Sequence, residues 1–224
     1  MPEQLTFELA APEPPAFDNF LAGRNEELCD VLSRASRGRL AEMGVALWGP
    51  PGVGKSHLLA AAVRAADEAG RAARLYPSPE AAPAQPPVDK ALVAIDDVHC
   101  ASADAQGRLF TLYNALAATG GQLLVATDNP PAQLPLRPDL RTRLGHGLVF
   151  EVLALEDAAK PAALARYAAA RGFRLDHEVI AYLLAHYPRD MTSLMRALAA
   201  LDRRSLAAKR PITVPFVREI LGIR

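Results

Sequence analysis

Three short groups of residues in this chain have the types and spacing for phosphate chemistry. The first is Gly49-Pro50-Pro51-Gly52-Val53-Gly54-Lys55-Ser56, which fits the spacing G-x-x-x-x-G-K-[ST] of a phosphate-cradling loop. Its glycines allow the backbone to turn tightly and aim successive N–H groups inward, which makes a nest for an anion. Lys55 brings a compact charge to β- and γ-phosphates, and Ser56 brings a hydroxyl to Mg²⁺. The second group ends an apolar run, Ala91-Leu92-Val93-Ala94-Ile95-Asp96-Asp97. There Asp96 can hold Mg²⁺ directly or through water, and Asp97 can orient or deprotonate an attacking water. The third is Thr127-Asp128-Asn129 after the run 122–127. Polar residues at the carboxyl end of a strand lie where a parallel sheet places its ligand. Together the groups describe a site for ADP or ATP with Mg²⁺, against the plainer reading of a Gly-rich turn and solvated strand-end acids.

The surrounding pattern supplies the elements that must hold these residues. Residues 45–48 read as a buried strand before the loop, and 57–69 as a helix whose N-terminus favours bound phosphate. The N-terminal side of the helix includes His57. A helix is expected near 26–37, strands at 71–76, 90–98, 122–127 and 148–153, a helix over 108–118 and a short one over 139–144. Residues 77–87 hold five prolines in eleven positions and read as a loop. Strands alternating with helices predict an α/β fold, a parallel sheet with helices on both faces. From Glu156 on only helices are expected, near 156–171, 176–186, 190–208 and 214–221, with Gly172 and Pro188 as stops and Thr213 as an N-cap. The expected division is a tail and linker over 1–15, a nucleotide-binding α/β domain over 16–154 and an all-helical lid over 155–224.

Composition narrows the class. The chain has 224 residues, half of them hydrophobic, enough for a large core and a smaller second one. Its 25 basic residues balance 25 acidic ones, so no overall positive field grips nucleic acid. Cys29 and Cys100 lack metal-ligand spacing and read as free thiols. No leader or long apolar span is evident, so a cytoplasmic protein without membrane contact is expected. The first residues differ from the rest. Gln4-Leu5-Thr6-Phe7-Glu8-Leu9 alternates polar and apolar side chains, and a Pro-rich stretch to Pro15 follows. It reads either as a frayed terminus or as a tethered peptide that sets Leu5, Phe7 and Leu9 in an apolar groove while Gln4 fixes register. The stretch Phe17-Asp18-Asn19-Phe20 either packs the first helix on the sheet or forms an adenine-side lip.

These features together resemble AAA+ P-loop NTPases, and among them the DnaA-like branch. The likeness rests on Phe17 to Phe20, Gly49 to Leu59, Ile95-Asp96-Asp97, Ala126 to Pro131, Leu140-Arg141-Thr142-Arg143-Leu144 and the ending Ile212 to Leu221. It implies that Lys55 and Ser56 hold phosphate and Mg²⁺, that Asp96 is the acidic Mg²⁺ residue with Asp97 its companion, and that Asp128 or Thr127 is the first sensor. It implies that Arg143 is an arginine finger acting in trans on ATP held by a neighbour. On the residues alone, Arg143 is equally read as an ion-pair partner of Asp139. The opening peptide is similar to the Gln-Leu-x-Leu-x-Leu form that binds the DNA polymerase sliding clamp, with Phe7 in place of leucine and Glu8 a departure.

The implied function is negative regulation of replication initiation: a clamp-bound protein that stimulates ATP hydrolysis by the initiator DnaA. The alternative is a self-hydrolysing helicase-loader-like ATPase. DNA would be met mainly through the clamp complex, and self-association is expected because a finger needs a neighbour. The chain ends with the lid pattern, so origin reading through a helix-turn-helix domain is not expected. The lid arginine of the family is replaced by Thr192, with Arg189 or Arg196 as substitutes. Residues 77–87 replace a helix-bearing segment, so the initiator's single-stranded DNA contacts are not implied.

Overall fold

The computed structural model describes residues 14–222, which fall into two compact units that part between Leu155 and Glu156. The first is built on five parallel strands: β1 (Gly44–Trp48), β2 (Ala73–Tyr76), β3 (Leu92–Ile95), β4 (Gln122–Thr127) and β5 (Leu148–Glu151). Their order across the sheet is β2-β3-β4-β1-β5. Strands β3 and β4 are buried at every position, which is why their sequences are continuous apolar runs rather than alternating ones.

Helices α1 (Glu26–Ser36) and α2 (Lys55–Glu68) cover one face of the sheet, α3 (Ala103–Thr119) and α4 (Pro138–Gly145) the other. The first face closes over Leu28, Leu32, Leu58 and Leu59 with Leu47 and Leu124. The second closes over Leu109, Leu112, Leu116 and Leu140 with Val93 and Val125. Each such leucine contributes about 1.5–3 kcal/mol on leaving water. The α/β class expected from the alternation is the fold observed, with helices on both faces.

The element ends differ from expectation for local reasons. Helix α2 begins at Lys55 because Gly54, at φ 110° and ψ 14°, breaks the loop immediately before it. Helix α3 begins at Ala103, since the Ser102 hydroxyl caps the Ala105 N–H. Strand β3 stops at Ile95 because Asp97 turns into the left-handed region, φ 51° and ψ 36°. The proline-rich segment 77–87 is a loop with one short turn, Pro79–Ala81. Arg108 on α3 fastens that turn by donating to the carbonyls of Glu80 and Ala82.

The second unit is all-helical: α5 (Lys160–Ala170), α6 (His177–His186), α7 (Met191–Ala208) and α8 (Val214–Leu221). Leu164, Leu183, Leu194, Leu198, Leu201 and Phe216 form its core. Asp190 caps α7 through the Ser193 N–H at 2.8 Å, and Thr213 caps α8. Helix α6 ends at His186 because Tyr187 precedes a proline and is extended, φ −121° and ψ 157°. Arg171 and Asp202 make a 3.0 Å ion pair with both side chains about nine-tenths enclosed. No described helix is long and apolar enough to cross a membrane.

Candidate functional site

The sheet order places β1 between β4 and β5, so the loop leaving β1 opens beside the end of β4. Trp48 is level with Thr127, and Ile95 with Val125. Three consecutive strand ends therefore present Gly49, Asp96 and Asp128 along one edge, where the strand order reverses and a ligand crevice forms. The Gly49 N–H is tied to the Thr127 carbonyl at 3.3 Å.

Glycine is required at two points of the loop for distinct reasons. A Cβ on Gly49 would lie 2.9 Å from the Val152 carbonyl oxygen, against backbone that cannot yield. A Cβ on Gly54 would lie 2.8 Å from Cε2 of Phe20, at a φ of 110° that side chains rarely adopt. Phe20 thus rests on the loop itself. Its ring centroid is 5.6 Å from that of His57, whose Nε2 donates to the Ala16 carbonyl at 3.1 Å. Burial pushes the His57 pKa below its ordinary value, partly offset by that carbonyl. The stretch from Phe17 to Phe20 therefore lies beside the phosphate loop, and Phe17 and Phe20 also pack on the core that α1 shares with the sheet. Asn25 ties the start of the first helix to the segment after β5, exchanging two 2.8 Å bonds with the backbone of Leu153.

Lys55 is buried, and its ammonium donates to the Gly49 carbonyl (2.5 Å), the Pro50 carbonyl (3.2 Å) and Asp128 Oδ1 (3.0 Å). The second oxygen of Asp128 receives Nε2 of His99 at 3.1 Å. Thr127, fully buried, uses its hydroxyl on the Asn129 carbonyl at 2.7 Å. It fixes the turn after β4, which leaves Asp128 as the side chain facing Lys55. Sequence reasoning missed His99; nothing in its spacing marks it beyond its place three residues after Asp96.

Asp96 is buried, and one of its oxygens accepts the Asp97 N–H at 3.0 Å. Ser56 stands on the first turn of α2 with its side chain exposed. A hydroxyl and a carboxylate suit Mg²⁺, which prefers one or two protein oxygens together with phosphate and water over a protein cage. Among the described residues no group of three His, Cys, Asp or Glu side chains gathers to hold a metal by itself. Mg²⁺ at Ser56 and Asp96 would neutralise phosphate charge.

Asp97 reaches solvent, yet its pKa is raised, first by partial burial and then by the neighbouring Asp96 and Asp128 carboxylates, against relief from His99 and Lys55. A raised folded-state value means that ionisation costs stability as pH rises through the carboxylate range. Asp97→Asn, which removes the charge and tolerates the left-handed backbone, is expected to raise the melting temperature at neutral pH. The gain should shrink toward about pH 4. Calorimetry across that range checks this; a lower melting temperature at neutral pH contradicts it.

Arg143 lies elsewhere. It lines a small cavity with Gly44, Val45 and Leu123, at the amino ends of β1 and β4. Strand β1 alone, five residues long, separates that place from the phosphate loop by roughly 13 Å. The guanidinium lies 4.5 Å from the Phe110 ring and 5.6 Å from that of Tyr113, and its buried Nε bonds to no group among the described residues. The expected alternative, an ion pair with Asp139, is not the arrangement found. Asp139 turns back on its own helix start, accepting the Leu140 N–H at 2.8 Å and Arg137 at 2.7 Å.

In the lid, Arg189 is committed to Asp157 at 2.9 Å and to the Leu184 carbonyl at 2.8 Å. Arg196 is exposed on α7, one turn from Thr192. Gln4, Leu5, Phe7 and Leu9 lie outside the described residues.

A five-stranded parallel sheet in this order, with a phosphate loop after β1, paired acids after β3, a polar end on β4 and a helical unit following, is the AAA+ P-loop NTPase fold. Domain III of the Thermotoga maritima replication initiation protein DnaA superimposes with a TM-score of 0.78 at 19% identity, over 95% of this chain and 98% of that one. AMPPCP-bound DnaA from Aquifex aeolicus gives 0.70 at 20% identity, over 86% of this chain and 66% of that one. The Thermotoga maritima RuvB Holliday junction branch migration motor gives 0.70 at 17%, over 93% and 72%. Residues 87–151 match the family model of the bacterial DnaA ATPase domain, and residues 157–221 that of the Hda lid domain. Residues of both units are thus similar to Hda/DnaA-like AAA+ proteins.

Proposed function

We propose that this protein acts as Hda-type regulators do: held on the sliding clamp, it makes DnaA hydrolyse its bound ATP and so restrains replication initiation. The observation that carries this reading is the place of Arg143. It stands at the opposite end of β1 from Lys55, with no carboxylate partner among the described residues, so its charge is out of reach of its own phosphate loop. A guanidinium there suits the nucleotide of a neighbouring subunit, where such a finger offsets charge spreading over the transferred phosphoryl oxygens. The match of the C-terminal residues to the Hda lid supports the regulator over the initiator.

The protein's own site binds ADP or ATP with Mg²⁺ through the loop from Gly49 to Ser56, with Asp96, Asp97 and Asp128 around it. A similar fold holds AMPPCP in the Aquifex aeolicus initiator. Bound nucleotide sets the geometry of the face that carries Arg143, and the same face permits self-association. The protein works in the cytoplasm, in a division of tail 1–15, ATPase domain 16–154 and lid 155–224.

The tail supplies the tether. Such a tether turns a weak second contact into a near-intramolecular one, at an effective concentration around millimolar. Leu5→Ala with Phe7→Ala removes two apolar anchors and should weaken clamp binding about 100-fold while the melting temperature stays put. Surface plasmon resonance on immobilised clamp reads this; wild-type affinity in the double variant removes the tether. The whole reading is tested by adding the protein to clamp-loaded DNA and ATP-bound DnaA. Hydrolysis must rise only when clamp is present.

A second reading is favoured by one feature: both acids needed for hydrolysis stand at this chain's own site, Asp96 buried and Asp97 open to solvent. In that case the purified protein turns over ATP without DnaA, and Asp97→Asn abolishes the turnover.

A further inference from the structure

Asp128 is held from two sides, and the phosphate loop explains one of them. Lys55 takes Oδ1 at 3.0 Å, while His99 Nε2 takes Oδ2 at 3.1 Å. An ionised carboxylate only accepts, so Nε2 carries the hydrogen and donates it. The ring comes from the turn Val98–Cys100, which follows directly on Asp96 and Asp97. It is therefore a lateral strut from the acidic end of β3 to the polar end of β4. Its other nitrogen, Nδ1, is buried and meets no polar partner among the described residues. A histidine kept for packing ordinarily satisfies both nitrogens when enclosed. This one is placed for a single bond, the one to Asp128.

We propose that His99 positions Asp128 for the γ-phosphate and thereby raises the site's affinity for a nucleoside triphosphate relative to a diphosphate; this rests on the nucleotide-binding reading above. Lys55 has three N–H groups, and Gly49, Pro50 and Asp128 engage all of them. A phosphate entering the loop draws Lys55 toward itself and away from Asp128. The carboxylate released in this way stands beside the γ-phosphate, and two anions at that range repel. His99 keeps Oδ2 bonded when Lys55 leaves, which holds the carboxylate in place and puts a hydrogen-bond donor against its charge. A diphosphate ends short of that position and is indifferent to the strut. His99 is thus a positioning residue: it acts on phosphate through Asp128.

Calorimetric titration of the full chain with Mg²⁺-AMPPCP and Mg²⁺-ADP tests this. His99→Ala should weaken AMPPCP about tenfold and leave ADP within about twofold, so the ratio of the two constants falls. His99→Gln carries its amide nitrogen to where Nε2 stands and should restore the ratio. His99→Asn, whose amide ends nearer the place of Nδ1, should not. An equal loss for both nucleotides, an unchanged ratio, or no rescue by Gln overturns the proposal while the nucleotide site stands. A wild-type protein that binds neither nucleotide overturns both. If His99→Ala does not fold, the Gln and Asn variants carry the same comparison.

Discussion

Arg143→Ala is expected to leave nucleotide and clamp binding at wild-type strength and to lower stimulated DnaA hydrolysis by about a thousandfold, or to DnaA's own basal rate if that is reached first. The separation of effects follows from position. Arg143 sits by the amino ends of β1 and β4, a strand length from Lys55, so its removal does not reach the chain's own site. The loss of its stacking on Phe110 and Tyr113 costs about 0.5–1 kcal/mol at a partly exposed site, a small fall in melting temperature. Arg143→Lys should fail nearly as badly, since an ammonium lacks the planar fork that meets two phosphoryl oxygens together. The stacked guanidinium with an unbonded Nε also implies a ready exchange. Phosphate oxygens offer it charge-assisted bonds that the aromatic rings do not. A coupled-enzyme assay on clamp-loaded DNA reads the result, and undiminished stimulation by Arg143→Ala removes the finger and with it the regulatory reading.

Lys55→Ala is the second large effect. Lys55 is the buried cation of the loop, within 3.0 Å of Asp128. A charge-assisted hydrogen bond contributes about 1.5–3 kcal/mol, and two of them turned on β- and γ-phosphates amount to roughly 100- to 10,000-fold in affinity. The variant also leaves the Asp128 carboxylate facing the loop without its cation, which works against any anion there. ADP and ATP should both be lost from calorimetric titration. Lys55→Met, closer in length, should behave alike while keeping the packing under the loop. Titration heats equal to wild type would contradict the assignment of the loop.

Much of this protein is written in its sequence because the chemistry is local. The loop from Gly49 to Ser56 is contiguous, and its glycines at 49 and 54 are demanded by a close approach and a backbone conformation. Buried parallel strands need unbroken apolar runs, so β3 and β4 were visible along with the acids at the end of β3. The caps at Asp190 and Thr213 and the proline after Tyr187 set lid helix ends by rules that operate within a few residues.

Only the tertiary structure decided which strand ends are neighbours, and that choice made the site. His99 and Asp128 are 29 positions apart in the chain, yet the order β3-β4-β1 brings them within 3.1 Å of each other. No spacing rule connects residues on different strands, because their distance is set by how the sheet is wound. The same holds for Arg143. The sequence offered Asp139 as its partner at helical spacing, but Asp139 accepted the adjacent Leu140 N–H and paired with Arg137, and the aromatic rings of α3 took the guanidinium instead. Sequence determines what each residue is able to do, since that depends on its type and near neighbours. The fold determines with whom it does it, since contacts between distant segments depend on every layer packed between them.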